Sequence, residues 1–215
     1  MSFILSIATH TGIVMAADHS SSFSDGIYNL QTSISKEKLY ITTNNIGISA
    51  GNQAFINNIS IERYLNNFLY NFNKEIFKTP YDVSHALLNY FKAIDPNADV
   101  VFHIAGYELV DVPRPQLYEV STKENQCTLL NKQEYVPSLV YACANNFPDI
   151  ILPLFKTRLN YFSMQEAIDF TVFLINTTRK VMELSGTGCG ISKDIDVLAI
   201  YPDHYTWVNK IKLHI

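Results

Sequence analysis

Ser2 follows the initiator methionine, and removal of Met1 leaves a hydroxyl and a free α-amine on one residue. That is the smallest unit that carries a nucleophile together with its own base. An α-amine has an intrinsic pKa of roughly 7.7–8.0, close to working pH, so it can take the hydroxyl proton directly or through a water. Two charged residues stand at strand ends downstream. Asp18 closes the apolar run Gly12-Ile13-Val14-Met15-Ala16-Ala17-Asp18, and Lys38 opens Lys38-Leu39-Tyr40-Ile41. Each has an ordinary reading: Ser2 as a common second residue, Asp18 as a strand-end turn residue, Lys38 as a solvated edge charge, Gly51 as a tight turn.

Composition narrows the alternatives. The 215 residues, 47% apolar and 17% charged, are enough for one large core and are expected to form one domain over 1–215. A net charge of −4 without a Lys/Arg cluster argues against nucleic acid. No apolar run reaches the roughly 18 residues of a membrane span, and no signal peptide is expected. The three cysteines (Cys127, Cys143, Cys189) have no metal spacing and read as reduced thiols of a cytoplasmic protein. The six histidines form no HxxxH or HxH pair, so no metal is expected. Gly186, Gly188 and Gly190 lack the preceding strand that a phosphate loop needs.

The elements that must position these residues come in blocks. Strands are expected at Phe3–Ala8, Gly12–Asp18, around Ile27–Thr32, at Lys38–Thr42 and at Ile46–Ala50, the last two joined at Asn44-Asn45. From Gln53 to Phe72 the apolar spacing is helical, and Pro80 starts a second helix ended by Asp95-Pro96. Strands return at Asp99–Gly106, Pro115–Ser121, Cys127–Leu130 and Ser138–Ala142. A third helix is expected over Asn146–Arg158. Ser163-Met164-Gln165-Glu166 is a capping box opening a fourth, which runs to about Leu184. Two strands, Asp196–Tyr201 and Tyr205–Ile211, finish the chain. Segregated blocks with short hairpins predict an α+β fold with antiparallel sheets: two sheets face to face, helices outside each, a four-layer αββα sandwich.

With these segments in order, the chain resembles the proteasome-type N-terminal nucleophile hydrolases, the β-type proteasome subunits and their bacterial relatives. The resemblance rests on Gly12–Asp18, on Ser-Lys-Glu-Lys-Leu-Tyr-Ile-Thr-Thr-Asn-Asn-Ile-Gly-Ile-Ser-Ala-Gly (35–51), on Phe-His-Ile-Ala-Gly-Tyr-Glu (102–108) and on Pro-Gln-Leu-Tyr-Glu-Val (115–120). It covers most of the chain and is strongest over 2–51 and 101–120. It implies Ser2 as nucleophile in place of the family's threonine, Asp18 as the site aspartate and Lys38 as the site lysine, with Lys36 as competitor. A lysine ammonium there would lower the pKa of amine and hydroxyl, and Asp18 would keep it charged and oriented. Backbone amides around Gly51 are the implied oxyanion donors, and the strand carrying Ser49 and Gly51 the implied peptide-binding strand. The family's supporting serine has Cys143 as its nearest counterpart, though Cys143 also reads as a small buried apolar residue. For the supporting aspartate, Glu183 and Asp194 are both near. The implied activity is peptide or amide hydrolysis without a cofactor. The implied assembly is a homo-oligomeric ring, with an ATP-driven unfoldase as a partner to consider. A catalytically inactive subunit of the same fold, with a structural or binding role, is the alternative. An enzyme of the wider class acting on a small-molecule amide is a third reading.

Overall fold

A computed structural model describes residues 3–24, 31–71, 77–108, 110–132, 138–143, 147–155, 161–185 and 190–211. Among these the elements are β1 (Phe3–Ala8), β2 (Ile13–Asp18), β3 (Ser20–Ser24), β4 (Gln31–Ser35), β5 (Leu39–Ile41), β6 (Gly47–Asn52), β7 (Phe55–Ile56), β8 (Ile59–Ser60), α1 (Ile61–Tyr70), α2 (Pro80–Ile94), β9 (Val100–Glu108), β10 (Arg114–Ser121), β11 (Gln126–Leu129), β12 (Ser138–Cys143), α3 (Phe147–Phe155), α4 (Met164–Ser185), β13 (Ile195–Ile200) and β14 (Tyr205–Asn209). Two five-stranded antiparallel sheets result, in the orders β12-β1-β2-β13-β14 and β11-β10-β9-β6-β5.

Strand alternation sorts the apolar residues into three layers. Ile4, Ala8, Ile13, Met15 and Leu198 of the first sheet meet Leu39, Ala105 and Leu117 of the second, forming the layer between the sheets. The opposite face of the second sheet, with Ile48, Phe102 and Ile104, is covered by Leu65 of α1 and by Val83, Leu87 and Phe91 of α2. The opposite face of the first sheet, with Phe3, Leu5, Val14 and Val197, is covered by Ile151 of α3 and by Ile168, Leu174 and Ile175 of α4. The expected four-layer sandwich is therefore the observed one. At Gly47 the sheets approach so closely that a Cβ would stand 2.8 Å from Ile200 Cδ1 and would press on Met15 Sδ.

Local signals account for the helix starts. Thr79 caps α2 through a reciprocal box with Asp82, and Pro80 occupies its first turn. Ser163 and Glu166 form the expected box before α4, the Ser163 amide donating to Glu166 Oε2 at 2.8 Å. The expected helix from Gln53 begins only at Ile61, because Asn57 and Asn58 both take positive φ (50° and 61°) and close the small β7–β8 hairpin first. Paired left-handed residues are what a two-residue hairpin turn demands, and asparagine tolerates them. In the Ser-rich stretch, β3 and β4 pair from Ser20↔Ser35 to Ser24↔Gln31, in place of the one strand expected around Ile27–Thr32, of which residues 27–30 lie outside the described residues.

Candidate functional site

The β1–β2 hairpin brings the start of the chain to Asp18. Thr9 tightens its turn, its Oγ1 donating to the Gly12 carbonyl at 2.9 Å, and the register pairs Ile4 with Ala17. Phe3 thereby comes beside Asp18, and its amide donates to Asp18 Oδ1 at 2.7 Å. The second sheet supplies the lysine. Lys38 immediately precedes β5, and its carbonyl accepts the Ala50 amide at 3.0 Å. Its Nζ donates to the same Asp18 Oδ1 at 2.7 Å and also to the Ser20 carbonyl.

Asp18 is fully buried and Lys38 nearly so. The amides of Ser20 and Ser192 donate to Asp18 Oδ2, each at 3.0 Å. A buried carboxylate with four donors has its charge well satisfied. Burial pulls the Lys38 ammonium below the usual lysine range, and the adjacent Asp18 charge opposes that pull.

Of the two competing lysines, Lys38 is thus the one against Asp18. Lys36 turns to Glu62, with 3.2 Å between Nζ and Oε2. Ser2 lies outside the described residues, as does Cys189. Glu183 is engaged on the surface of α4 by Arg179 and Lys180. The Asp194 carbonyl accepts the His19 amide, and its own amide donates to Ser192 Oγ at 3.0 Å. Neither carboxylate is among the partners of Asp18 and Lys38. Cys143 stands directly across from Phe3 in the β1–β12 ladder and lies within electrostatic reach of Lys38.

The peptide-binding expectation for Ser49 needs correction. Along β6, residues 47–52 pair with β9, residues 47–49 pair with β5, and Ala50 bonds to Lys38. Both edges are occupied and Ser49 is fully buried, so this stretch offers no free edge to a substrate. Alternation turns the Gly51 backbone toward its partner Val101, and β6 ends at Asn52 with φ 67°.

Two groups escaped the sequence reading. One is the Ser192 amide, which reaches Asp18 from 174 residues away and is visible only in the fold. The other is a polar row inside the sandwich. Ser6 Oγ lies 3.1 Å from His103 Nδ1, and Ser49 faces His103 across β6–β9. Burial pushes His103 down to about 3, so it is neutral. Alternation carried a signal for it: Ile4-Ser6-Ala8 and Val101-His103-Ala105 are the two inward faces, each with a polar residue at its centre.

No family model matches the sequence, and none of the curated proteins does. Solved structures do match. A Gly-1 mutant of Anbu from Hyphomicrobium sp. strain MC1 aligns with a TM-score of 0.67 at 13% identity, over 97% of this chain and 86% of that one. Anbu from Yersinia bercovieri, described as an ancestral beta-subunit, aligns at 0.65 and 9% identity, over 97% and 87%. The chain has the proteasome-like fold. At such identities the likeness concerns the fold and leaves the chemistry to the residues. Among the described residues no helix is long and apolar enough to cross a membrane.

Proposed function

We propose that this chain is a proteasome-like N-terminal nucleophile hydrolase that cleaves peptide or amide bonds through Ser2 freed by removal of Met1. The observation that carries this reading is the convergence of the Phe3 amide and the Lys38 ammonium on Asp18 Oδ1, each at 2.7 Å. It ties the residue next to Ser2 to the one buried lysine–carboxylate pair recorded among the described residues.

In the proposed cycle the α-amine of Ser2 takes the hydroxyl proton as Oγ bonds to the substrate carbonyl carbon. Lys38, kept cationic by Asp18, lowers the pKa of both groups. The Asn52 backbone amide, which follows Gly51 at the free end of the strand, receives the developing oxyanion. The C–N bond then breaks, the proton passes to the leaving amine, and Ser2 holds the acyl group as an ester. Water attacks that ester, gives its proton to the α-amine, and releases the acid while Oγ is reprotonated.

The assembly proposed is a homo-oligomeric ring, supported by the description of one structural neighbour as a beta-subunit. A cytoplasmic setting and docking of an ATP-driven unfoldase belong to the same proposal. Hydrolysis of fluorogenic peptide amides by the intact protein, lost in Ser2→Ala with unchanged thermal unfolding, tests the catalytic reading. The alternative is a non-catalytic subunit in which Asp18 and Lys38 serve as a clamp between the sheets. It draws on the four donors that already fill Asp18, and equal activity of Ser2→Ala and the native protein would favour it.

A further inference from the structure

The β1 strand starts between two different surroundings. On one side lies Asp18 with Lys38. On the other, across from Phe3, Cys143 forms part of the wall of a cavity of about 460 Å³. The cavity spans the gap between the sheets at this end, from Cys143 on β12 to Asn52 at the end of β6, with Glu119 on its β10 wall. Its opposite walls lie beside the two places where the proposed reaction needs a substrate: β12, whose Cys143 pairs with the residue after Ser2, and the strand end after Gly51. A volume of this order holds an amino-acid side chain with room for solvent.

Its lining is polar and carries more acid than base. Of the carboxylates, Asp99 pairs with Lys123 at 3.4 Å, and Asp149 accepts the Tyr141 hydroxyl. Glu119 differs. It is half-buried on the inward face of β10 and has no hydrogen-bond or ion-pair partner among the described residues. His103 stands directly across the ladder from it, fully buried, with Nε2 unpartnered. A half-buried carboxylate without a partner is unfavourable, and a donor arriving from the cavity would meet it. Burial raises the Glu119 pKa, with Glu124 adding to the effect, and a cation in the cavity would reverse that.

We infer that this cavity is the substrate side-chain pocket and that Glu119 selects a cationic side chain, lysine or arginine, beside the bond to be cleaved. The inference rests on the proposed reading of Ser2, but it can be tested by binding alone. Two fluorophore-labelled tetrapeptides that differ only in lysine against norleucine are titrated into the full Ser2→Ala chain at low salt and followed by anisotropy. The lysine peptide is expected to bind about tenfold more tightly, the effect of one well-placed charge pair. Glu119→Gln should reduce the preference to within about twofold, and Glu119→Asp should keep most of it. Thr128→Lys places a cation across from Glu119 in the β10–β11 ladder and should also abolish the preference. Equal binding of the two peptides, no binding of either, or a preference that survives both Glu119→Gln and Thr128→Lys overturns the inference. A native chain that forms a Ser2 adduct yet shows no lysine preference refutes the pocket and leaves the nucleophile standing. Lysine preference without an adduct does the reverse.

Discussion

The Phe3 amide donates to Asp18 Oδ1 at 2.7 Å across a separation of 15 residues. That bond fixes where the polypeptide begins relative to the Lys38–Asp18 pair. Asp18→Asn keeps the shape but leaves a buried ammonium without its counter-charge. Removing one partner of a buried pair costs about 3–5 kcal/mol. Chemical denaturation should show a loss of that order, and Asp18→Asn combined with Lys38→Met should recover part of it.

The two lysines of the Ser35–Leu39 segment should behave differently. Lys36→Met removes a partly exposed pair with Glu62, worth ~0–1 kcal/mol, and should leave peptide hydrolysis within about twofold of native. Lys38→Met should abolish hydrolysis. Equal loss from both variants in a kinetic comparison would remove Lys38 from the proposed site.

His103 gives the fold an acid-sensitive limb. Its pKa is about 3 in the folded chain, against 6.5 for the ordinary value. Between those values the unfolded chain binds one more proton, so stability rises with pH across this window and levels off above it. At about 1.4 kcal/mol per pKa unit, the window is worth several kcal/mol. In urea titrations from pH 3.5 to 7, His103→Gln should flatten the rise. An unchanged slope in that variant would assign the acid limb to other groups.

Gly47 marks the tightest approach of the two sheets. Gly47→Ala puts a methyl against Met15 and Ile200 and should cost about 1–3 kcal/mol. Thermal unfolding measures it directly, and combining it with Met15→Ala should be less than additive, because the truncated side chain makes room.

Much of this arrangement was legible before the fold. The apolar runs Phe3–Ala8 and Val100–Glu108, the helix start at Pro80 and the box at Ser163 specify the sandwich through local patterning and capping. Asp18 and Lys38 were legible as strand-end charges. Their meeting, and the separation of Lys38 from Lys36, depends on how two sheets pack, which no local pattern encodes. The onset of α1 was misread because helical spacing of apolar residues continues through Gln53–Ser60, while Asn57 and Asn58 impose a turn that hydrophobicity does not register. Ser192 is another residue of this kind: only its amide is used at Asp18, and an amide leaves no mark in residue type. The burial of Ser49 follows from β6 lying between β9 and β5, a property of strand order.

The central claim is that Ser2 is an exposed, reactive N-terminus. Intact mass of the purified native protein reads it directly, before and after incubation with an electrophile that must bond both hydroxyl and α-amine. The expected result is a chain lacking Met1 that gains one adduct, absent in Ser2→Ala and in Lys38→Met. A chain that retains Met1 throughout and gains no adduct contradicts it.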